Sequence, residues 1–421
     1  MSERILLCLA HMSGKEMDYI KEAFEQNWVV PLGPNVNGFE ADLEAFVNER
    51  EGAMPLERKV VALSAGTAAV HLALIACGVG QGDEVMVQSF TFCASSHPVT
   101  YLGATPVFVD SEADTWNMDP ELLDRAIADR IALTGRKPKA IVPVALYGMP
   151  YRIDRIREVA DKYGIPVVED AAEGFGSRFR GQVLGTFGRY GVLSFNGNKM
   201  ITTSGGGALI CPDAEAKREI MWYATQARES YPYYQHEAIG YNYRMSNICA
   251  GIGRGQMTVA AEHIDHHRHV QALYEELLAG VEGIEVHKAP GPDFESNYWL
   301  CTATLSPELR VKGQDKAYAQ VITGAVGGAA GVTHASKSAH TDLEPNANVE
   351  AMRLALDAAG IESRPLWKPM HCQPVYKDAP RYINGVSESL FCVGLCLPAG
   401  PWVSDAHVRR IVDTIRASIE R

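Results

Sequence analysis

The stretch LSFNGNKMITTSGGGALIC, residues 193–211, combines a short apolar segment, one lysine and a run of three glycines. Lys199 is the only ionised side chain between Val192 and Cys211, and it follows the end of a predicted strand. A lysine held in a crevice can lose its proton and form a Schiff base with an aldehyde. The alternative is a surface lysine, which the near absence of other charges makes less favourable. The stretch therefore predicts a reactive lysine beside a strand end.

Two stretches upstream add polar groups at other strand ends. SAGT, residues 64–67, follows the strand VVAL and opens a helix, and backbone N–H groups at a helix N-terminus beside a hydroxyl can bind phosphate. Alone this signal is weak, because Gly-Thr is also an ordinary helix start. PVVEDAAE, residues 166–173, is an apolar strand ending in acids, which places a carboxylate in the ligand crevice of a parallel sheet. Glu169 or Asp170 could instead cap the next turn.

In this chain order the three stretches supply what pyridoxal 5′-phosphate requires. They offer a phosphate cradle, an acid for the pyridine nitrogen and a lysine for the aldehyde. SFTF, residues 89–92, follows the strand EVMVQ and adds an aromatic side chain that could stack on the pyridine ring. The sequence therefore predicts a pyridoxal phosphate site.

Short apolar segments alternate with helical patterns through the first 210 residues, which predicts an α/β fold with a doubly wound sheet. Several segments are apolar on both faces, as strands of a parallel sheet covered by helices must be. The candidate strands are VVALSA (60–65), EVMVQS (84–89), PVFVD (106–110), AIVPVALYG (140–148), PVVED (166–170), GVLSF (191–195) and GALIC (207–211).

The length of 421 residues favours two domains. Residues 1–280 are predicted to form an N-terminal arm and a large cofactor-binding domain, ending in a long helical tract over 247–280. Residues 281–421 are predicted to form a small α+β domain, ending in a helix over 404–419. Other helices are predicted over 67–77 and 153–163. Residues 324–348 are rich in Gly, Ala and Ser without a period, which predicts a loop insertion.

Composition excludes several classes of protein. Hydrophobic residues make up 47% and charged residues 21%, as in ordinary globular chains. The net charge of −12 gives no electrostatic footprint for binding nucleic acid. No apolar run approaches the ~20 residues needed to cross a bilayer, and the N-terminus does not resemble a secretion signal. Nine cysteines without a CxxC pair favour reduced thiols and a cytoplasmic protein.

The sequence offers weaker signals for two other kinds of site, a metal site and a dinucleotide site. His263, His266 and His267 would share one helix face and could hold zinc, but no carboxylate motif accompanies them, so we expect no metal. The glycines of GVGQGD, residues 78–83, follow a helix and precede a strand, whereas a dinucleotide fingerprint needs the opposite order. An NAD-dependent enzyme is therefore disfavoured.

Six ordered stretches resemble the DegT/DnrJ/EryC1/StrS family of sugar aminotransferases: SAGTAAVHLAL, SFTFCAS, VPVALYG, VVEDAAEGFGS, SFNGNKMITTSGGGAL and GYNYRMSNICAGIG. The resemblance covers nearly the whole chain from residue 32. It implies the aspartate-aminotransferase fold type I, with a large domain around a mostly parallel sheet and a smaller C-terminal α+β domain. Three stretches look closest to transaminases that make UDP-4-amino-4,6-dideoxy-N-acetylglucosamine on the bacillosamine route: FNGNKMITTSGGGAL, TQARES with the following GYNYR, and ESRPLWKPMH with the following YINGVSE.

The resemblance implies a role for each matched residue. Lys199 is implied as the catalytic lysine that forms the Schiff base with the cofactor. Asp170 would pair with the pyridine nitrogen, and Gly66, Thr67 and Ser194 would hold the phosphate.

Three further cofactor-binding positions follow from the same motifs. Phe92 would stack on the ring, and Asn242 would reach the phosphate of the neighbouring subunit, which makes a homodimer with shared active sites necessary. Glu173 stands where many members have His or Gln. It would either orient the phenolic oxygen side of the cofactor or hold Asp170.

The implied reaction transfers an amino group from L-glutamate to the 4-keto position of a nucleotide sugar. The resemblance favours UDP-4-keto-6-deoxy-N-acetylglucosamine; GDP-4-keto-6-deoxymannose, a dTDP-3-keto sugar and a non-catalytic binding module of the same fold are the alternatives. The segments implied to bind the sugar nucleotide are Asn27, Trp28, Val29 and Val30, and Arg364, Pro365, Leu366 and Trp367.

Overall fold

The computed structural model describes residues 4–50, 52–317 and 343–420. Most of the predicted loop, residues 324–342, lies outside the described residues. Its last residues are described, and a helix begins at Ala347, so the predicted end of the loop at residue 348 is wrong by a residue or two. Among the described residues, no helix combines the length and the apolar composition that a membrane span needs.

The strands fall into a large sheet and smaller ones. They are β1 (Lys59–Leu63), β2 (Glu84–Gln88), β3 (Thr105–Val109), β4 (Ala140–Val142), β5 (Val168–Asp170), β6 (Arg178–Phe179), β7 (Gln182–Val183), β8 (Tyr190–Ser194), β9 (Gly207–Cys211), β10 (Ile284–Val286), β11 (Phe294–Glu295), β12 (Cys301–Leu305), β13 (Arg364–Pro365), β14 (Arg381–Tyr382) and β15 (Gly394–Leu397).

The large sheet consists of two four-stranded ladders, in the orders β14-β3-β2-β4 and β5-β8-β9-β1. Parallel bridges from Ile141 to Val167 and from Val144 to Asp170 join them side by side. Every pairing in the sheet is parallel except the two that β9 makes with β8 and β1. The predicted α/β fold with a mostly parallel sheet is therefore confirmed.

The sheet is covered on both faces, as the apolar strand candidates required. Val60 and Ala62 of β1 lie in one buried cluster, and Val61 and Leu63 lie in another. Successive residues of a strand point to opposite faces, so the two clusters are the two sides of the sheet. Each predicted strand is found, although the one over 140–148 ends at Val142, because Pro143 has no N–H to donate to a neighbouring strand.

Helices pack on this sheet and link it to the C-terminal part of the chain. They are α1 (Glu16–Glu25), α2 (Pro34–Asn48), α3 (Gly66–Ala76), α4 (His97–Tyr101), α5 (Pro120–Thr134), α6 (Ile153–Tyr163), α7 (Ala214–Ala224), α8 (Asn247–Met257), α9 (Ala260–Leu278), α10 (Ala347–Ala358), α11 (Val386–Val393) and α12 (Asp405–Ser418).

The helix predictions need one correction. The tract predicted over 247–280 is two helices, α8 and α9, because the chain leaves helical geometry at Val259, where φ is −123°. Thr258 and Val259 are β-branched and have low helix propensity, so a break costs little there. The helix predicted over 404–419 is α12, whose N-cap Ser404 accepts a hydrogen bond from the backbone N–H of His407.

The C-terminal part has its own antiparallel sheet, β10-β12-β15-β13. A third buried cluster packs it against α9, α10 and α12. Several strand pairings cross the boundary predicted at residue 280: β14 extends the large sheet beside β3, β11 pairs with β6, and Ile5 pairs with Ile361. The division into 1–280 and 281–421 stays a prediction.

Candidate active site

A cavity of about 310 Å³ opens where the strands of the large sheet end. Its volume lies in the range of small-molecule sites. Residues that follow β1, β2, β4, β5 and β8 all reach it, as expected where the carboxyl ends of neighbouring strands meet. Of the predicted site residues, the cavity is lined by Gly66, Thr67, Phe92, Asp170, Glu173, Ser194, Lys199 and Trp367.

Lys199 lies in a loop between β8 and β9 that its own backbone closes. Phe195 N–H donates to Gly206 O, and Lys199 N–H donates to Asn196 O, at 2.9 Å each. Met200 and Ile201, directly after the lysine, are buried in the core and anchor the loop. The Lys199 side chain is only 13% exposed, and its Nζ lies 3.4 Å from Glu173 Oε1. The lysine is therefore held inside the cavity and not on the surface.

Asp170 is the last residue of β5 and is 4% exposed. Ser95 Oγ donates to its Oδ2 at 2.6 Å, and the backbone N–H of Ala172 donates to its Oδ1 at 3.1 Å. Burial raises the pKa of Asp170, while the two hydrogen bonds and the charge of Lys199 lower it. A carboxylate so placed can pair with a cationic ring nitrogen in the cavity.

The phosphate cradle predicted at residues 64–67 is the N-terminus of α3. No side chain caps this helix at Ala65, which leaves the first N–H groups of α3 facing the cavity. Ser194 lies directly beside the helix start, where a Cβ atom on Gly66 would come within 3.1 Å of the Ser194 Cβ. The helix start, Thr67 and Ser194 together form an anion site of the kind found at helix N-termini.

Aromatic side chains form one wall of the cavity. Phe92 is 53% exposed, and its ring centroid lies 5.8 Å from that of Trp367. The Tyr147 ring stacks with that of Trp367, and the Tyr147 hydroxyl oxygen accepts the Trp367 backbone N–H at 2.8 Å. Trp367 thus links the C-terminal part of the chain to the cavity.

The other predicted site residues lie outside this cavity. Asn242 is exposed and pairs through its backbone with Thr225. Arg364 forms an ion pair with Glu362 at 2.9 Å. In the N-terminal segment the predicted residues are all exposed: Asn27, Trp28, Val29 and Val30. Pro365 is half-buried, and Leu366 is buried. None of these side chains lines the cavity within its own chain.

Sequence reasoning missed three residues at the site. Ser95, which donates to Asp170, stands within the quoted stretch SFTFCAS but has no distinguishing pattern. The centroid of the Trp299 ring lies 3.8 Å from Lys199 Nζ, and Trp299 Nε1–H donates to Asn198 O at 2.6 Å. Tyr147 N–H donates to Glu173 Oε2 at 2.7 Å. Only the fold brings these residues to the lysine.

The candidate zinc residues His263, His266 and His267 do not form a cluster of metal-ligand atoms. His266 Nε2 contacts Val403 O, and His267 Nδ1 contacts Tyr298 O. In the described ranges, one group of three potential ligands lies within 4.8 Å: His371, Cys372 and Glu388. Both ring nitrogens of His371 already have partners, Ser89 Oγ at 2.6 Å and Glu388 Oε1 at 3.0 Å. This group ties α11 to the end of β2.

The residues in the cavity fit pyridoxal 5′-phosphate in each of its three parts. An uncapped helix N-terminus with hydroxyls suits the phosphate, a buried Asp suits the ring nitrogen, and a shielded Lys suits the aldehyde. A mostly parallel α/β sheet with this site defines the class of pyridoxal phosphate-dependent enzymes.

Comparison with known proteins identifies the family within that class. The profile of the DegT/DnrJ/EryC1/StrS aminotransferase family matches residues 11–329 and 329–416. The chain belongs to this family, whose cofactor is pyridoxal 5′-phosphate. The family assignment and cofactor predicted from the sequence are therefore confirmed.

Relatives with known names span the full chain. EpsN of Bacillus subtilis (strain 168), provisionally named a pyridoxal phosphate-dependent aminotransferase, is 40% identical over 99% of this chain and 96% of its own. A GDP-perosamine synthase of Caulobacter vibrioides is 32% identical over 97% and 96%. The crystal structure of Streptomyces venezuelae DesV with a ketimine intermediate matches with a TM-score of 0.79 and 27% identity over 100% of both chains. These matches confirm fold type I.

Proposed function

We propose that this enzyme transfers an amino group from L-glutamate to the 4-keto carbon of UDP-4-keto-6-deoxy-N-acetylglucosamine, giving UDP-4-amino-4,6-dideoxy-N-acetylglucosamine. The observation that carries the proposal is the meeting of Lys199, Asp170 and the N-terminus of α3 in one cavity. Other relatives are named as aminotransferases for dTDP- and UDP-linked sugars and as a GDP-perosamine synthase, which supports a nucleotide sugar as the amino acceptor.

Each residue then has a defined task. Pyridoxal phosphate, when bound, withdraws electrons from the carbon that loses its proton. Lys199 Nζ would take that proton from the α-carbon of the amino donor and deliver it, in the same half-reaction, to the cofactor carbon that keeps the nitrogen. With the keto sugar it would move a proton the opposite way, from that cofactor carbon to C4 of the sugar. Asp170 would keep the ring nitrogen protonated by its negative charge, and Gly66, Thr67 and Ser194 would hold the phosphate. Phe92 would contact the ring.

We place the sugar nucleotide between two segments that do not meet within one chain. Trp367 lines the cavity, whereas Trp28, Val29 and Val30 form an exposed apolar segment. Exposed apolar patches often mark a protein interface. A homodimer would bury this segment and bring Asn242 to the partner's phosphate site, so that each active site draws on two chains.

A second candidate substrate is GDP-4-keto-6-deoxymannose. It is supported by the similarity to GDP-perosamine synthases, which are 30–32% identical over 96–97% of this chain. Both candidates carry a 4-keto group, so the same cavity chemistry serves either. They differ in the nucleotide and in the N-acetyl group.

One experiment distinguishes the candidate substrates and also tests whether the protein is an aminotransferase. The purified enzyme is first incubated with L-glutamate, which should remove the visible absorbance of the lysine-linked cofactor. Keto sugars with UDP, GDP or dTDP are then added one at a time, and we expect the UDP-4-keto-N-acetyl sugar to restore the absorbance fastest. Restoration only by the GDP sugar would select the second candidate. If glutamate changes the absorbance of the wild type no more than that of Lys199→Ala, the protein is a non-catalytic binding module.

A further inference from the structure

The amine of Lys199 lies between a carboxylate and an aromatic ring. Glu173 Oε1 is 3.4 Å from Lys199 Nζ, and the centroid of the Trp299 ring is 3.8 Å from the same atom. The Glu173 side chain is 5% exposed, so water screens this contact little. Both neighbours stabilise a protonated amine, the carboxylate by its charge and the ring by its quadrupole.

Glu173 is held firmly in this orientation. Its second oxygen, Oε2, accepts the backbone N–H of Tyr147 at 2.7 Å, and its own carbonyl accepts Asn297 Nδ2 at 2.9 Å. Tyr147 is in the left-handed region, with φ of 54°, which aims its N–H at the carboxylate. One oxygen of Glu173 is therefore anchored by the backbone and the other faces Lys199.

The other titratable groups near this pair do not replace Glu173. Asp170 faces Lys199 across the cavity, but Ser95 and the N–H of Ala172 already bind its oxygens. Burial raises the pKa of Cys8, another neighbour of Lys199, to about 12. Burial also raises the pKa values of Tyr147 and Cys396, which lie beside Glu173, well above neutrality. These three groups are uncharged at neutral pH.

We propose that Glu173 is a positioning residue for amino transfer: its carboxylate stabilises the protonated amine of Lys199, the form that exists after the lysine has taken the proton of the donor. The inference rests on the proposed role of Lys199. It assigns Glu173 to the lysine, in place of the role beside Asp170 or the phenolic oxygen expected from the sequence. The ring of Trp299, 3.8 Å from the same amine, also favours its protonated form.

The test measures the reactivity of the Lys199 amine without turnover. The full-length protein, freed of cofactor, is exposed to trace acetic anhydride at a series of pH values, and acetylation of Lys199 is quantified by mass spectrometry. Glu173→Gln removes the carboxylate that stabilises the protonated amine, so at neutral pH Lys199 should be acetylated roughly tenfold faster than in the wild type. Glu173→Asp keeps the charge and should lie closer to the wild type.

Glu169→Gln is the matched control, because it makes the same chemical change four residues away on a side chain outside the cavity. The inference is overturned if Glu173→Gln leaves the rate of Lys199 acetylation unchanged, or if Glu169→Gln raises it equally. Failure of the proposed function has a different signature. In that case pyridoxal phosphate would not protect Lys199 of the wild type from acetylation, whatever the Glu173 variants do.

Discussion

The carboxyl group of Asp170 contacts two short-range hydrogen-bond donors and almost no solvent. The side chain is almost fully buried, yet Ser95 Oγ and the Ala172 N–H both point at it. Such hydrogen bonds favour the ionised carboxylate against the cost of burial. The residue can therefore hold a positive charge on a bound ring nitrogen.

Asp170→Asn should retain the cofactor and lose amino transfer. The amide fills the same space but is neutral, so the ring nitrogen loses the charge that keeps it protonated. We expect the glutamate half-reaction to slow at least about 100-fold, the size of effect seen when one preorganised charge partner is removed. Stopped-flow absorbance measures the rate, and the unfolding midpoint serves as the control for folding. An unchanged rate would mean that another acid has this role.

Glu169, the neighbour of Asp170, points away from the cavity and is fully buried. Its Oε2 accepts the N–H groups of Phe187 and Gly188 at 3.0 and 3.4 Å. Its Oε1 has no hydrogen-bond partner within the described part of the chain. Burial raises the pKa of Glu169 to about 7. Two adjacent acids thus differ in function because alternate residues of β5 face opposite ways.

Glu169 should make the protein less stable as pH rises. The folded-state pKa exceeds the unfolded value, so its contribution is complete below pH ~4.5 and is lost as pH rises through about 7. The full loss is at most about 3 kcal/mol. Glu169→Gln imitates the protonated form, so its stability relative to the wild type should improve from pH 5 to pH 8. Urea unfolding at both values measures this, and a pH-independent difference would contradict it.

At the scale of elements, the phosphate site depends on the contact of β9 with the start of α3. A Cβ on Gly207, the first residue of β9, would lie 2.4 Å from Gly66 N and 2.5 Å from Ala65 C. Both are backbone atoms, which cannot move aside as a flexible side chain can. The glycine run therefore allows the helix N-terminus to lie directly beside the strand.

Gly207→Ala should displace the start of α3. We expect a loss of stability of about 1–3 kcal/mol, as for other overpacked sites, together with weaker cofactor binding. Gly197→Ala is the control in the same loop, because its Cβ would meet only Ser204 O at 3.9 Å. Urea unfolding and cofactor titration measure both effects. If the two variants behave alike, the close contact does not position the helix.

At the scale of the whole molecule, the site is assembled from distant parts of the chain. The sheet supplies Lys199 and Asp170, while Trp299 and Trp367 arrive from the C-terminal part. The exposed Asn242 lies outside its own cavity, on a segment that pairs with Thr225 and follows exposed aromatic residues. Under the proposed dimer, that segment completes the partner's site.

Mixing two inactive variants tests this shared site. In a dimer of Lys199→Ala with Asn242→Asp, one site has both defects and the other has neither. Random exchange makes about half of the dimers mixed, so activity should recover to roughly a quarter of the wild-type level per site. The negative charge of Asp would repel the phosphate. Both parents must first be inactive and able to exchange subunits, which mass spectrometry of the mixture establishes. No recovery after proven exchange would place Asn242 within its own chain.

Much of the fold could be predicted because its signals are local. Apolar runs of five residues between helical patterns located every strand from β1 to β5, and β8 and β9, since a strand in a covered parallel sheet must be apolar on both faces. The order of helix start, acid and lysine along the chain then predicted the cofactor, because those residues follow strands that end at one edge. The early end of β4 at Pro143 was not predicted, although a proline in a strand indicates such an end.

The contacts that tune the site were decided only by the tertiary structure. Ser95 reaches Asp170 across 75 residues, and Trp299 lies beside Lys199 across 100. No period or spacing records such contacts, because they depend on how the sheet, its loops and the C-terminal part pack together. The contact of Glu173 with Lys199 also depends on this packing. Its motif suggested a partner in the cofactor or in Asp170, and the fold also brings its Oε1 within 3.4 Å of Lys199 Nζ.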